Sequence, residues 1–183
     1  MDEKHFVVGR PEASEHSVYF GRYISLISDA DILSVLQEQS DETSALLRRL
    51  SEKDGNFRYA PDKWSAKQVV GHVNDTERVF AYRAMRMARA DKTPLAGFEQ
   101  DDYVRAGGFE KRTLADLAGE FDAIRKSTLC LFRGLEDDAW TRQGIANNGD
   151  LSVRALAYMI AGHELHHRGI LLEKYFSSHR LSA

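Results

Sequence analysis

The sequence of 183 residues has only one cysteine, Cys130. A single thiol excludes an internal disulfide and is typical of proteins from reducing compartments. The first five residues, MDEKH, lack the basic and apolar segments of a secretion signal, and no window approaches the run of about 18 apolar residues that a membrane span requires. We therefore expect a cytoplasmic protein with no membrane partner.

An excess of positive charge is also missing. The sequence has 25 Lys and Arg residues against 28 Asp and Glu residues, which gives a formal net charge of −3. Binding to nucleic acid depends largely on basic side chains that neutralise phosphates. No sustained stripe of such side chains is present, so we expect no nucleic-acid partner.

Four long segments have the apolar periodicity of helices, and none of them contains a proline. The predicted helices span approximately residues 28–51, 65–90, 113–134 and 152 to almost the C-terminus. The last three start at Ser65, Thr113 and Ser152, which are typical N-cap residues. Ser65 and Gln68 together have the spacing of a capping box.

Two long connections, residues 91–112 and 136–151, separate the later helices. We interpret the first as a lid or a pocket wall, because loops of this size in compact domains are usually functional. The second contains the turn signal Asn147-Asn148-Gly149, which indicates either a tight hairpin or a crossover between helices. The pattern predicts an all-α fold, a four-helix bundle of residues 28–183 with long crossover loops and an N-terminal extension, residues 1–27, packed on it.

Histidines occupy positions of the predicted core stripe. His163 and His167 lie four residues apart on one face of the last helix, where the stripe calls for apolar residues, and His72 falls on the inward face of the second helix. Burying an imidazole without a partner costs about 1–3 kcal/mol, so three such residues need a shared reason. A divalent metal ion bound by His72, His163 and His167 supplies one.

Two alternatives stay open from the residues alone. Each inward histidine is also compatible with a hydrogen-bonded place in the core. The segment HELHH at residues 163–167 matches H-E-x-x-H, in which a zinc peptidase uses the glutamate as a base. The match is weak, because Ile170 and Glu173 stand where the glycine and the third histidine of one large class of such peptidases would be. His5, His16 and His179 are predicted to be solvated.

A divalent ion held by three neutral imidazoles keeps open positions for water or substrate, which favours catalysis over a structural role. We take Glu164 and His166 as candidate catalytic residues. Asp75 and Glu77 are further candidates for hydrogen bonds to the metal-bound histidines. Trp64 and Tyr103 are candidates for the pocket wall, and Asp101 and Asp102 are expected to be solvated loop charges.

Three motifs carry a resemblance to a known family. They are WSAKQVVGH at residues 64–72, DTERVF at residues 75–80 and GHELHHRG at residues 162–169. With this pattern the chain resembles the DinB-like superfamily of four-helix bundles, which includes the YfiT-type metal-dependent hydrolases, over about residues 32–175. One departure is Ile170, which stands where relatives often carry glutamine.

The resemblance implies that His72, His163 and His167 are the metal ligands, with nickel or zinc as the usual metal, and that the protein forms a homodimer. It also implies a small-molecule substrate, and in some relatives a low-molecular-weight thiol such as bacillithiol or mycothiol. We therefore expect a metal-dependent hydrolase or a thiol-dependent transferase. The alternative is a helical bundle of the stress response that binds a metal or ligand without catalysis.

Overall fold

A computed structural model describes residues 8–176. Its helices and strands, in chain order, are α1 (Val18–Ile24), α2 (Ile32–Arg48), α3 (Glu52–Asn56), α4 (Ala66–Ala88), α5 (Gln100–Ala106), α6 (Leu114–Arg133), β1 (Gln143–Ala146), β2 (Gly149–Ser152) and α7 (Val153–Ile170). Short 3-10 turns occupy Ala13–Glu15, Phe109–Lys111 and Asp137–Thr141, and a π-helical turn, Leu171–Tyr175, follows α7.

Four long helices, α2, α4, α6 and α7, form the predicted four-helix bundle. In it α4 packs on α6 and α7, while α2 packs on the same two helices from the other side. Their apolar faces make up the core. Within residues 8–176, no helix has the length and apolar character needed to cross a lipid bilayer.

The predicted caps of the last three bundle helices are confirmed. The side-chain hydroxyls of Ser65, Thr113 and Ser152 each accept a hydrogen bond from the backbone N–H of the third helical residue. The amide of Gln68 donates to the Ser65 hydroxyl at 3.3 Å, and the Gln68 side chain accepts from the Ser65 amide at 2.9 Å. Each helix therefore begins where a local side chain satisfies its first free amides.

The first bundle helix is shorter than predicted, because Asp31 rather than a residue near 28 caps it, and it ends at Arg48. Its polar middle is nevertheless helical. Gln39 and Thr43 are buried in this part, where the Gln39 amide donates to the Ala161 carbonyl at 3.1 Å and the Thr43 hydroxyl donates to Glu164. In this part of α2, hydrogen bonds to α7 thus take the place of the apolar contacts that a regular helical stripe would make.

The two long connections meet each other. Residues 143–152 form the hairpin alternative, with β1 and β2 antiparallel and Ala146 opposite Gly149. Asn147 and Asn148 make the turn with φ of 51° and 60°, a left-handed conformation that asparagine tolerates. Leu95, in the first connection, forms a parallel bridge with Ala146. The hairpin therefore anchors the beginning of the 91–112 segment.

Residues 8–27 lie against the last helix. α1 packs on α7 at Gly162, where an added Cβ would be only 2.0 Å from the Tyr23 carbonyl oxygen, so this close approach requires glycine. The Glu15 carboxylate accepts hydrogen bonds from the Ser152 hydroxyl at 2.6 Å and from Nε of Arg154 at 2.8 Å. These contacts hold the segment over the N-terminal half of α7.

A buried ion pair joins α4 to α6 in the middle of the bundle. The Arg125 side chain is fully buried, and its Nε and Nη2 each donate to the Glu77 carboxylate at 2.9 Å. Nη1 of Arg125 donates to the Leu36 carbonyl at 2.9 Å. Because both charges are paired and hydrogen-bonded, the pair is tolerated in the core.

We expect Glu77→Leu to reduce the free energy of unfolding by roughly 3–5 kcal/mol, because it leaves the Arg125 guanidinium buried without a counter-charge. Urea unfolding measures this loss. Asp102→Asn, in an exposed pair with Arg105, is the control and should change stability by less than about 1 kcal/mol. A loss below about 1 kcal/mol for Glu77→Leu would contradict the claim that Glu77 neutralises the buried Arg125 guanidinium.

Candidate metal centre

The imidazoles of His72, His163 and His167 meet inside the bundle. His72 extends from α4, and the other two extend from successive turns of α7. Nε2 of His72 lies 3.0 Å from Nε2 of His163. Each of the three rings offers one nitrogen, and these nitrogens all lie within 4.8 Å of one another. The structure thus brings together the three residues that the sequence analysis singled out as metal ligands.

Aromatic side chains pack around these rings. The Trp64 ring, just ahead of α4, lies with its centroid 4.9 Å from that of His72. Tyr23 from α1 and Phe80 from α4 lie edge-on to His163, at centroid distances of 5.3 and 6.2 Å. The imidazoles are therefore surrounded mainly by apolar ring surface and by one another.

Burial keeps the three imidazoles neutral. It lowers the pKa of His72 to about 4 and, together with the neighbouring imidazoles, that of His167 to about 3. Burial also lowers the pKa of His163 well below its ordinary value, again with help from the adjacent rings. At pH 7 each ring therefore carries a free lone pair, which is the form that binds a metal.

The three rings have few polar partners besides one another. Nδ1 of His72 lies 3.5 Å from the Thr76 hydroxyl, and no carboxylate among residues 8–176 hydrogen-bonds to any of the rings. A hydrogen bond between His72 and His163 satisfies one nitrogen of each, but His167 has no hydrogen-bond partner within the same range. A divalent cation can accept all three lone pairs at once, so the residues fit a metal.

A cavity of about 350 Å³ opens beside His72 and His163. This volume is in the range of small-molecule sites. Its wall comes from α1, from the inner face of α4, from the hairpin turn and from residues 98–100. The interpretation of the 91–112 connection as part of a pocket wall is therefore confirmed.

Sequence reasoning missed much of this wall, including Tyr23, Arg83 and Phe98. A signal existed for Arg83, because it continues the spacing of His72, Thr76 and Phe80 along one face of α4. Tyr23 and Phe98 reach the cavity from segments that are distant in sequence. No local pattern indicates that placement.

Glu164 lies away from the cavity, although it is next to His163 in sequence. Its carboxylate accepts a hydrogen bond from the Thr43 hydroxyl of α2 and lies 3.7 Å from Nε of Arg168. Burial raises the pKa of Glu164 above its ordinary value. The geometry gives this side chain a place between α7 and α2, and a catalytic role for it stays a prediction.

His166 is half-buried on the side of α7 that faces α1. Its ring centroid lies 5.0 Å from that of His167 and 5.5 Å from that of Tyr23. Burial lowers its pKa, with a further contribution from the charge of Arg22. His166 is thus a neutral imidazole beside the three converging rings, and its catalytic role also stays a prediction.

The remaining candidates are spread over the surface and the core. Asp75 pairs with Arg78, and Glu77 pairs with Arg125, so neither carboxylate contacts the imidazoles. Trp64 contacts His72, as described above. Tyr103 is 44% exposed and packs on Phe98, outside the cavity wall.

The other polar candidates lie at the surface or beyond the described residues. Asp101 and Asp102 are exposed on α5, as expected for solvated charges, and Cys130 is exposed on α6. His16 is half-buried, with Nδ1 3.0 Å from the Ser17 carbonyl oxygen. His5 and His179 lie outside the described residues.

Comparison with known families matches the chain to the DinB superfamily. The sequence profile of the DinB superfamily matches residues 36–171 of the chain. This range includes all three converging histidines and most of the bundle. No curated protein sequence matches the chain.

Solved structures with the same fold include three of interest. YfiT from Bacillus subtilis, described as a probable metal-dependent hydrolase with an unusual four-helix bundle topology, superposes with a TM-score of 0.66 at 15% identity, covering 86% of each chain. A mycothiol-dependent maleylpyruvate isomerase has a TM-score of 0.65 at 11% identity, with 79% of this chain and 61% of that one covered. The DinB-like protein YjoA from Bacillus subtilis has a TM-score of 0.57 at 20% identity, with coverage of 78% and 87%.

The lowered pKa values predict how the metal-free protein responds to acid. Between about pH 6.5 and 5 the three imidazoles take up protons in the unfolded chain but not in the folded one. The free energy of unfolding should therefore fall as the pH decreases through this window. NMR of the imidazole ring protons should show His72 and His167 neutral down to about pH 5.

His72→Gln assigns one of these signals and removes one of the titrating groups, so the decline in stability should become less steep. Ring signals of His72 or His167 that titrate near pH 6.5 would contradict the buried, neutral arrangement.

Proposed function

The chain belongs to the DinB superfamily, and we propose that it is a metal-dependent enzyme that acts on a small molecule. The observation that supports this most directly is the meeting of three neutral imidazoles beside a cavity of about 350 Å³. Structural zinc sites usually have four protein ligands, often thiolates. Here three imidazoles without a thiolate, next to a cavity, favour a site for chemistry.

His72, His163 and His167 would hold the ion, with nickel or zinc as the proposed metal. A bound divalent ion would supply positive charge that polarises a substrate and lowers the pKa of a water or thiol next to it. The chain itself would orient two of the ligands, because the Trp64 ring packs on His72 and the Tyr23 and Phe80 rings pack on His163.

Between hydrolysis and thiol-dependent transfer, the polar surroundings favour the thiol. Water needs its pKa lowered from about 15.7, whereas a thiol starts near 8.5 and requires much less assistance. In the described part of the chain, Glu164, the carboxylate next to His163 in sequence, lies away from the cavity in which a base would act on water. One protein of the same fold is named as mycothiol-dependent, and another as a probable hydrolase, so hydrolysis is the second candidate.

We assign proton transfer to His166. Its ring is neutral, partly accessible and 5.0 Å from the His167 ring. Glu164 acts instead as a positioning residue, since its contacts with Thr43 and Arg168 fix the turn of α7 that carries His163 and His167. Rescue of a His166→Gln variant by added imidazole, with no rescue for Glu164→Gln, would separate these two roles.

The same proposal includes a cytoplasmic location and a homodimer. The single cysteine supports the first. Resemblance to dimeric DinB-like proteins supports the second, and light scattering of the purified protein tests it.

Metal analysis is the first test. Full-length, untagged protein purified without chelator should contain close to one nickel or zinc ion per chain. His163→Ala should lose that ion, with an affinity loss greater than the roughly 10–100-fold typical of removing an outer partner of a ligand. His16→Ala, which removes a histidine outside the centre, should keep it. Protein that binds neither metal when it is offered would contradict the proposal.

An activity panel then separates an enzyme from a binding module. The metal-loaded protein is incubated with electrophiles in the presence and absence of low-molecular-weight thiols, and with hydrolysable esters and amides. Turnover that requires both metal and thiol is expected. Metal-dependent hydrolysis without thiol would support the second candidate, and a metal-loaded protein inactive in every arm would favour a non-catalytic binding bundle.

A further inference from the structure

Arg83 is a buried cation in the wall of the cavity. It lies on α4 about three turns beyond His72, on the same helix face, and is only 3% exposed. Thr76 and Phe80 lie between the two positions and also line the cavity. One continuous space therefore connects the histidine centre with a guanidinium group.

The guanidinium is held in place without a counter-charge. Its Nη2 donates to the Ala96 carbonyl at 2.8 Å, and its carbon lies 5.8 Å from the Phe80 ring centroid and 5.9 Å from that of Phe98. Nε and Nη1 have no hydrogen-bond partner among residues 8–176. Two donors of the planar fork are thus free.

Other buried cations in the described part of the chain are paired. Lys67 lies 2.6 Å from the Glu52 carboxylate, and Arg125 lies 2.9 Å from that of Glu77. Arg83 is buried to the same degree as Lys67, but no carboxylate of residues 8–176 lies within 4.0 Å of it. Glu99 and Asp150, the carboxylates of the cavity wall, are exposed at its edge.

An unpaired buried charge is costly unless something compensates for it. Burial lowers the pKa of Arg83, but an arginine starts so high that the group stays charged at pH 7. Neither the carbonyl of Ala96 nor the two aromatic faces neutralises this charge. Arg83 lines the cavity and its unpartnered nitrogens are not fully enclosed, so an anion in the cavity can reach the charge and serve as its counter-ion.

We infer that Arg83 binds a carboxylate of the ligand, and that the rest of the ligand extends along Thr76 and Phe80 to the histidine centre. Nη2 carries two N–H groups and gives one of them to Ala96, so one edge of the planar guanidinium, Nη2 with either Nε or Nη1, keeps two free N–H groups and matches a carboxylate. The Phe20, Phe80 and Phe98 rings of the wall suit an apolar or unsaturated body. The inference deepens the proposed function, because it names organic acids as the ligand class of the same cavity.

The distance between Arg83 and the histidine centre restricts the size of the acid. The Cα atoms of His72 and Arg83 are about 16 Å apart along the helix axis, and both side chains lean toward the N-terminus, so only the greater length of the arginine side chain reduces the separation. The carboxylate is therefore several bonds from the atom at the histidine centre. A bare inorganic anion at Arg83 would not span this distance.

The carboxylate can belong to either of two ligands: the acceptor, which is the electrophile that reacts with the thiol, or the thiol itself. Matched probe pairs distinguish them: 3-phenylpropionate against 3-phenylpropionamide for the acceptor, and 3-mercaptopropionate against 2-mercaptoethanol for the thiol. A preference for the acid within either pair supports the inference, and the pair that shows it identifies the carrier.

Binding is measured by NMR titration of the full-length protein, both metal-free and metal-loaded, so that the result does not depend on activity. In at least one pair the acid should bind at least about 10-fold more tightly than its neutral counterpart, which corresponds to about 1.4 kcal/mol. Arg83→Gln should abolish this preference, and Arg83→Lys should keep part of it. Arg86→Gln on the same helix, where the native arginine already pairs with Asp91, should leave it unchanged.

Stability provides a second readout. Because the native charge is unpaired, Arg83→Met should keep or raise the urea midpoint, whereas a structural role through the Ala96 carbonyl predicts a lower midpoint. Equal binding of acid and neutral probe in both pairs, including no measurable binding of either, would overturn the inference, as would a preference that survives Arg83→Gln. Metal content of the same samples reports separately on the histidine centre, since Arg83→Gln should leave it unchanged.

Discussion

The close packing of α4 against α7 is the constraint on which the rest of this structure depends. It places Nε2 of His72 and Nε2 of His163 3.0 Å apart, with His167 one turn further along α7. The same packing presents the inner face of α4, with Arg83, to the cavity. Gly162 extends the arrangement, because its lack of a side chain lets α1 close over α7 and bring Tyr23 to the imidazoles. The histidine centre and the cavity are thus consequences of one helix contact.

The buried ion pair of the core and the polar groups beside the cavity differ in what satisfies them. Arg125 and Glu77 satisfy each other in the middle of the core and need nothing from outside. His72, His163 and Arg83 line the cavity; the two imidazoles and the adjacent His167 offer ring nitrogens to one point, and Arg83 keeps donors that no other described residue accepts. Because these groups also border the cavity, which a ligand can enter, they indicate where ligands bind. A cation at the imidazoles and an anion at the guanidinium would satisfy these groups.

Much of the fold and the core of the site followed from local patterns. Apolar periodicity and cap residues such as Ser65 and Ser152 indicate the helices, because both act within one or two turns of the chain. His163 and His167 interrupted an otherwise regular apolar stripe, and this interruption was visible in the sequence. The polar middle of α2 was less clear, because its helical state depends on contacts of Gln39 and Thr43 with α7. Tyr23 and Phe98 were not predictable, since only tertiary packing brings their segments to the cavity.

The central claim is that three imidazoles from two helices bind one divalent ion. X-ray absorption spectroscopy of the metal-loaded, full-length protein tests it most directly, because the spectrum reports the ligands of the ion itself. We expect three imidazole nitrogens at about 2.0–2.1 Å for zinc, reduced to two in His167→Ala. A spectrum with sulfur or only oxygen ligands, or one that His167→Ala leaves unchanged, would contradict the claim.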